Sequence, residues 1–394
     1  MSVRSALPCY VQYIGTAVPE KWLDKEHGAD LLKQSCADPR NAKLLQRIAR
    51  LTGIEKRYLA ALEYQFDGPD GKSLYRLPSH QPQGPGMGAR TAAFQKSSGP
   101  IVQRALSELP AESLAGIDTL VTVSCTHASA PGLEMPVLTG TPVRPSVDRW
   151  NLGFMGCSGA LAAMRLIHKT AETGRHALIV ACELSSLHFQ YTDQIDQMTA
   201  NLLFSDGAAA MILSPQRSPV RVVGCGCAHL PEAAKQMVWF ADDHGLRLEL
   251  SQDLPETLAG SLPAFVSQFL KEHGTSMDAI DHWLAHPGGP QILEAVEKSL
   301  ALPADALAIS WSVYKDYGNM SSPTIFFIMK RLFETKASGQ VVAMAFGPGL
   351  TIELVLLQVD HGFQIGNCRF QIADLKGGPS LAIARGGVAM IDGG

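Results

Sequence analysis

The sequence lacks the long apolar run that a transmembrane helix needs. No run reaches the roughly 18 apolar residues that span a bilayer, and the first twenty residues contain no continuous apolar segment of the kind that secretory signals carry. We therefore expect a cytoplasmic protein without a membrane span.

An excess of positive charge is also missing. The chain has 33 Lys and Arg against 37 Asp and Glu, which gives a formal net charge of -4. A protein that binds the phosphate backbone non-specifically needs a basic surface, so nucleic acid is not an expected partner. With 46% hydrophobic and 18% charged residues, the composition excludes a disordered chain and predicts a folded one.

The cysteines do not form the pairs that zinc sites and disulfide frameworks use. None of the eight cysteines belongs to a CxxC pair, and the single CxC, Cys225 and Cys227, lies in an apolar run. This spacing disfavours a structural zinc site and a secreted disulfide scaffold. Reduced thiols and no metal site are expected.

Apolar, β-branched runs alternate with helix-period segments along the chain, the pattern of an α/β protein. The predicted strands lie at 10–18, 118–125, 176–184, 208–214, 219–227, 281–289, 305–313, 340–349 and 351–359. They divide the chain into two comparable halves, 1–215 and 216–360, with a seam near residue 215. The glycine-rich tail 361–394 carries no assignment.

Cys157 is the first candidate for chemistry. It stands between small residues, directly before a segment with the period of an amphipathic helix. The unpaired N–H groups at a helix N-terminus favour a thiolate and can hold an oxyanion beside the sulfur, which suits a covalent acyl acceptor. From this segment alone, a buried cysteine that only packs is the alternative.

His286 and Asn319 are candidates from the second half of the chain. His286 ends an apolar run at a Pro-Gly-Gly turn, so its imidazole is predicted to project from a strand end, or else to be bonded by its own turn. Asn319 precedes a Ser-Ser-Pro helix start, either as a cap or as an amide donor directed into a cavity. Together with Cys157 they form a known catalytic constellation.

Five motifs resemble the type III polyketide synthases, the chalcone-synthase-like branch of the thiolase superfamily. They are GCSGALAAMRL, FSDGAAAMIL, HPGGPQILEAVEKSL, GNMSSPT and AFGPGLTIEL, and the similarity covers roughly residues 10–358. Ketoacyl synthases that initiate fatty-acid synthesis share the order Cys, His, Asn but usually read HQAN and GNTSAAS. The resemblance implies a thiolase-like fold with a layered α-β-α-β-α body, and a homodimer.

The resemblance also implies a reaction. Cys157 would carry the acyl chain of an acyl-CoA starter, while His286 and Asn319 would bind the thioester carbonyl of malonyl-CoA and stabilise the enolate left by decarboxylation. The enolate would then attack the Cys157 thioester. The substrates are CoA thioesters, and no metal or redox cofactor is implied.

A cationic entrance and two gates are expected around the cavity. Helical spacing places Lys43, Arg47 and Arg50 on one helix face, where they would meet CoA or simply face solvent. Phe204 matches a phenylalanine that gates the passage from the CoA tunnel in the family. The second gate falls near Leu248, where plant enzymes have phenylalanine, so this chain departs from them.

Further residues are expected to contact the substrate: Cys125, Thr126, Ser185 and Ser321. With His188 and Trp239 nearby, the sequence at these positions most resembles that of bacterial or fungal alkylresorcinol and alkylpyrone synthases. Those enzymes take fatty acyl starters into a long apolar tunnel. The alternatives are a ketoacyl synthase that performs one condensation, and a catalytically silent protein that binds acyl-CoA.

Overall fold

A computed structural model describes residues 8–36, 39–61, 73–170 and 174–360 of the protein. The predicted tail 361–394 lies outside the described residues. Within them, no helix is long and apolar enough to cross a membrane.

The strands are β1 (Cys9–Ala17), β2 (Trp22–Asp24), β3 (Lys56–Tyr58), β4 (Thr119–Ser124), β5 (Asp148–Gly153), β6 (Ala177–Leu184), β7 (Asp206–Ser214), β8 (Val220–His229), β9 (Met237–Asp242), β10 (Gly245–Leu250), β11 (His282–Ala285), β12 (Gly339–Gly347) and β13 (Thr351–Val359). The helices are α1 (Lys25–Lys33), α2 (Pro39–Leu51), α3 (Met87–Ser107), α4 (Ala111–Ala115), α5 (Glu134–Gly140), α6 (Gly159–Thr170), α7 (Ile195–Leu203), α8 (Leu254–Glu272), α9 (Pro290–Ser299), α10 (Ala308–Tyr317) and α11 (Thr324–Glu334).

One mixed sheet runs through both halves, in the strand order β11-β12-β13-β8-β1-β7-β6-β4-β5. In the first half, β4 is parallel to β6, β6 is antiparallel to β7, and β7 is antiparallel to β1. In the second half, β11, β12, β13 and β8 repeat these three pairings in the same order. The two halves therefore share one topology, and they meet where β1 pairs with β8.

Among the described residues, buried apolar side chains form five clusters, three of which lie between the layers of the fold. Alternate residues of β6 and β12 face α6 and α11, which lie together between the two halves of the sheet. The other residues of β6 face α3, and those of β12 face α8 and α9 on the opposite outer side. The order α-β-α-β-α expected from the resemblance is confirmed.

The strand predicted at 305–313 is wrong. Most of this segment belongs to α10, whose buried residues Ser310, Val313 and Tyr314 follow a helical spacing of three and four. The segment stands at the place in the chain order where the first half has β5. Among the described residues, the second half consequently has no counterpart of that edge strand.

Candidate active site

Three connections between elements bring Cys157, His286 and Asn319 together. Cys157 lies in a short 3-10 turn between β5 and α6, His286 directly follows β11, and Asn319 lies between α10 and α11. The Cys157 Sγ is 3.9 Å from the Asn319 Oδ1, and the Asn319 side chain is close enough to His286 to influence its pKa. The structure thus unites residues that stand far apart in the sequence.

Two glycines let the Cys157 turn approach the second half. Gly156 has a φ of +60°, and a Cβ there would lie 2.3 Å from the Pro348 Cδ. On the other side of the contact, a Cβ on Gly347 would lie 2.3 Å from the Ser158 Oγ. Any larger residue at either position would push the nucleophile turn away from the turn between β12 and β13.

The Cys157 thiol is protonated at neutral pH, contrary to the thiolate expected from the sequence. Burial raises the pKa of Cys157 to about 12; the Ser321 hydroxyl lowers it by hydrogen bonding, Glu183 raises it, and the Asn319 side chain lowers it. Moreover, α6 begins only at Gly159, after the turn that contains Cys157. Desolvation therefore outweighs the helix N-terminus.

His286 is a neutral imidazole. Its side chain is completely buried, and this burial lowers the pKa of His286 to about 3, with the Asn319 side chain acting in the opposite direction. At neutral pH the ring is uncharged, so one nitrogen carries a proton to donate and the other can accept one.

The Asn319 side chain is held in one orientation. Its Oδ1 accepts a 2.7 Å hydrogen bond from the backbone N–H of Ser321, a residue with a left-handed φ of +57°. Its backbone N–H donates to the Leu203 carbonyl at 3.0 Å, and its carbonyl accepts from the Ser205 N–H at 2.8 Å. With Oδ1 engaged, the amide nitrogen is the end of the side chain that remains to donate to a substrate oxygen.

Cys157 and Asn319 line one apolar cavity together with six other residues that the sequence analysis selected. These six are Cys125, Thr126, Ser185, Phe204, Leu248 and Ser321. The cavity volume is about 50 Å³, room for a few water molecules at roughly 10–15 Å³ each. This cavity is too small to be the long fatty acyl tunnel implied by the resemblance.

The hairpin of β9 and β10 closes the cavity, and the sequence analysis did not identify it. Trp239 and Leu248 are paired across its two strands, and the Trp239 ring lies 6.4 Å from the Phe204 ring, centroid to centroid. The Trp239 indole N–H donates to the Cys125 carbonyl at 3.3 Å. Apolar residues on both sides of the turn at Asp243 and His244 were the signal for this hairpin.

His188 fastens this hairpin to the first half. Its Nδ1 accepts from the Leu246 N–H at 3.1 Å, so the protonated Nε2 faces the Thr126 carbonyl, also at 3.1 Å. Burial lowers the pKa of His188 to about 4, which keeps the ring neutral at physiological pH and preserves both bonds. His188 lies behind Ser185, next to the cavity.

Glu183 is a buried carboxyl group that the sequence analysis missed. At the end of β6, it accepts hydrogen bonds from the Cys125 N–H at 3.0 Å, the Thr126 hydroxyl at 2.7 Å and the Ser322 hydroxyl at 2.8 Å. Burial raises the pKa of Glu183 to about 7, against these donors. The only sequence signal was one acidic residue near the end of a buried strand.

The three predicted basic residues lie apart from the cavity. Lys43, Arg47 and Arg50 are exposed on α2, and none of them lines the cavity. An open groove of about 580 Å³ between α7 and β10 shares Leu248 and Leu250 with the cavity. Because α2 packs on α7, the basic residues lie on the helix next to this groove, and their contact with CoA stays a prediction.

Two domain descriptions of one protein family match the chain. "Chalcone and stilbene synthases, N-terminal domain" matches residues 1–216, and "Chalcone and stilbene synthases, C-terminal domain" matches residues 223–360. Together they include all the candidate site residues.

Curated relatives and solved structures agree with these matches. An "alpha-pyrone synthesis polyketide synthase-like" protein of Mycobacterium tuberculosis is 28% identical over 368 residues, 89% of this chain and 91% of the relative. A 1,3,6,8-tetrahydroxynaphthalene synthase of Streptomyces griseus is 28% identical over 351 residues, 86% of this chain and 90% of the relative. The crystal structure of PKS-I from the brown alga Ectocarpus siliculosus is similar with a TM-score of 0.81 and 25% identity, covering 91% of this chain and 100% of that one.

Proposed function

Because this chain belongs to the chalcone and stilbene synthase family and is thus a type III polyketide synthase, we propose that Cys157, His286 and Asn319 are its catalytic residues. The observation that carries this assignment is that the Cys157 Sγ lies 3.9 Å from the Asn319 Oδ1 at one apolar cavity, with His286 next to the Asn319 side chain but outside the cavity lining. In the proposed reaction, an acyl group passes from CoA to Cys157, and malonyl-CoA supplies each extension unit.

His286 and Asn319 act as neutral hydrogen-bond donors to the thioester carbonyl of malonyl-CoA. Loss of CO2 places negative charge on that oxygen, and two fixed donors in a water-poor cavity stabilise it. The resulting enolate carbon attacks the acyl carbonyl on Cys157, the C–S bond to Cys157 breaks, and the chain leaves on CoA two carbons longer. These steps need no metal and no redox cofactor.

The Cys157 thiol must lose its proton before it can accept an acyl group. Its raised pKa and the lowered pKa of His286 keep both groups neutral at neutral pH. His286 is the base at the site that can take this proton when a substrate brings further polar groups into the cavity.

An alkylpyrone is the product class that we propose, ahead of an alkylresorcinol or another aromatic ring. A pyrone forms by lactone closure after few extensions, and a small cavity beside Trp239 favours few extensions. One of the curated relatives is named for alpha-pyrone synthesis. The starter is an acyl-CoA whose tail must displace cavity-wall side chains.

The groove between α7 and β10 is the proposed route for CoA. It reaches the cavity at Leu248 and Leu250 and has Lys235 on its rim. In this proposal, Lys43, Arg47 and Arg50 on the neighbouring helix α2 would meet the phosphate groups. Phe204 and Leu248 would act as the gates between groove and cavity.

A homodimer is also proposed. Among the described residues, no strand pairs with the outer side of the edge strand β5, and most residues of β5 are exposed, including Trp150 at 58%. An exposed edge strand is a ready template for pairing with another strand, and a second copy of β5 fits it. Sedimentation should give twice the chain mass of 42.3 kDa; a monomer at working concentration would contradict this proposal.

The experiment that tests the function is product analysis by mass spectrometry. Purified protein is incubated with malonyl-CoA and starters from acetyl-CoA to long fatty acyl-CoA. Pyrones that carry the starter's tail and two or more extension units would support the proposal. A single β-ketoacyl product would indicate a one-condensation ketoacyl synthase, and no product with any starter would indicate a silent binding protein.

A further inference from the structure

We propose that Arg57 is a positioning residue for Asn319, acting through the backbone of residues 203–205. The inference rests on the proposed function, since it concerns the group that stabilises the enolate. Arg57 belongs to β3 and does not line the cavity beside Cys157.

Arg57 is a buried cation bonded to carbonyl groups. Its side chain is 4% exposed, and its Nη1 donates to the Asn201 carbonyl at 2.7 Å and to the Phe204 carbonyl at 3.2 Å. These carbonyls lie at the C-terminal end of α7, where helical acceptors are left without a partner and a positive charge is favourable. Arg57 thus fixes the segment that follows α7.

That segment holds Asn319 on both sides. The Leu203 carbonyl accepts from the Asn319 N–H, and the Ser205 N–H donates to the Asn319 carbonyl. The residue between them is Phe204, whose carbonyl Arg57 binds. Phe204 and Asn319 thus form a short parallel β-bridge. The Arg57 guanidinium group holds the Phe204 side of this bridge in place.

Gly318 shows how closely these parts fit. It has a φ of +70°, and a Cβ on it would lie 3.2 Å from both the Arg57 Cγ and the Leu203 carbonyl oxygen. The chain that carries Asn319 accordingly lies directly on Arg57 and on the end of α7. A shift of either support would move the Asn319 amide.

Arg57 forms no direct ion pair among the described residues, but the carboxyl group of Asp206 lies close enough to favour its positive charge. Burial lowers the pKa of Arg57 to about 10, and the nearby Asp206 acts in the opposite direction, so the group stays cationic at neutral pH. A lysine keeps the charge, but its stem is one atom shorter and it lacks the planar guanidinium that fixes the direction of the N–H groups, so its Nζ cannot take the place of the Nη1 that donates to both carbonyls. Arg57→Lys therefore tests the geometry of the contact separately from its charge.

The expected effect is selective, because enolate stabilisation depends on the exact place of a donor and a displacement of about 1 Å costs on the order of 10²-fold in rate. Arg57→Lys should lower the kcat of malonyl-CoA decarboxylation at least about tenfold. The KM should change less than about twofold.

A double-mutant cycle separates positioning from general damage. If Arg57 acts through Asn319, Arg57→Lys should cause no further loss of decarboxylation in an Asn319→Ala background. Equal losses in both backgrounds, or a loss no greater than the loss of folded protein, would overturn the inference. Should Arg57→Lys fold poorly, Gly318→Ala displaces the same backbone and should give the same non-additive result.

Arg90 provides a matched control. It is also a completely buried arginine, and it donates to the Pro85 carbonyl at 2.8 Å and to the Phe189 carbonyl at 3.0 Å, away from residues 203–205. Arg90→Lys should lower the melting temperature, and any change in decarboxylation per folded molecule should be the same in the wild-type and Asn319→Ala backgrounds. Wild-type protein that does not decarboxylate malonyl-CoA would overturn the proposed function together with this inference, whereas additive losses would overturn the inference alone.

Discussion

The two halves of the molecule have the same topology but place different chemistry at corresponding points. Cys125 follows β4 and His286 follows the corresponding strand β11; Cys157 precedes α6 and Asn319 precedes the corresponding helix α11. The first half thus contributes sulfur atoms, and the second half contributes neutral hydrogen-bond donors. Under the proposed function, acyl transfer and enolate stabilisation would therefore belong to different halves of one site.

The halves also differ at their outer edges. The first half ends in the exposed strand β5, whereas the second half has the helix α10 at the same place in its chain order. In the first half, β5 is followed by the Cys157 turn and then by α6. In the second half, α10 is followed by Asn319 and then by α11. This difference lets the second half place Asn319 against residues 203–205 of the first.

Removing the thiol breaks the contribution of the first half. Cys157→Ala should abolish chain extension, a loss of about 10³-fold or more, because no acyl group can be held. Malonyl-CoA decarboxylation should remain measurable, since it depends on His286 and Asn319. Release of CO2 from labelled malonyl-CoA and product analysis check the two steps, and unchanged polyketide output would refute the role of Cys157.

Removing the amide breaks the contribution of the second half. Asn319→Ala should lower decarboxylation by about 10²-fold, because one of two donors to the enolate oxygen is lost. Alkylation of Cys157 by iodoacetamide should slow, because the Asn319 side chain lowers the pKa of Cys157, but it should not be abolished. If alkylation stops and decarboxylation survives, the assignment of the two halves is reversed.

A third prediction concerns Trp239, which lines the cavity between residues of the two halves. Trp239→Ala removes the indole that closes the cavity and bonds to the Cys125 carbonyl, so products should gain one or more extension units or accept longer starters. The matched control is Phe240→Ala, on the opposite side of β9 and outside the cavity lining. Identical product spectra for wild type and Trp239→Ala would contradict this account of the wall.

The smallest expected effect is a shift in the pH dependence of the thiol. The Ser321 hydroxyl lowers the pKa of Cys157 by hydrogen bonding, so Ser321→Ala should raise that pKa further. The thiolate fraction at a given pH then falls, and the pH profile of alkylation moves to higher pH by about one unit. A profile that stays in place, or moves to lower pH, would show that Ser321 does not act on the thiol.

Motifs at the ends of elements made much of the site predictable from sequence. Cys157 before an apolar helix, His286 after an apolar run and Asn319 before Ser-Ser-Pro are local patterns, and topology brings such ends to one edge of a sheet. Their convergence across the two halves was available only through the family resemblance.

Long-range packing decided the rest. The segment 305–313 has strand-like composition, but its burial has a helical period. Glu183 and Arg57 carry no motif, because their partners lie up to 147 positions away. The protonated state of Cys157 follows from burial, which a sequence reveals only indirectly.

The central claim is tested most directly by following the acyl group on the protein itself. Purified wild-type protein is incubated with an acyl-CoA starter, digested and analysed by mass spectrometry, and a second sample receives malonyl-CoA before digestion. The account predicts a starter-sized adduct on the peptide that contains Cys157, and its disappearance with malonyl-CoA as CO2 and an extended product appear. An adduct on another residue, or none while products still form, would contradict it.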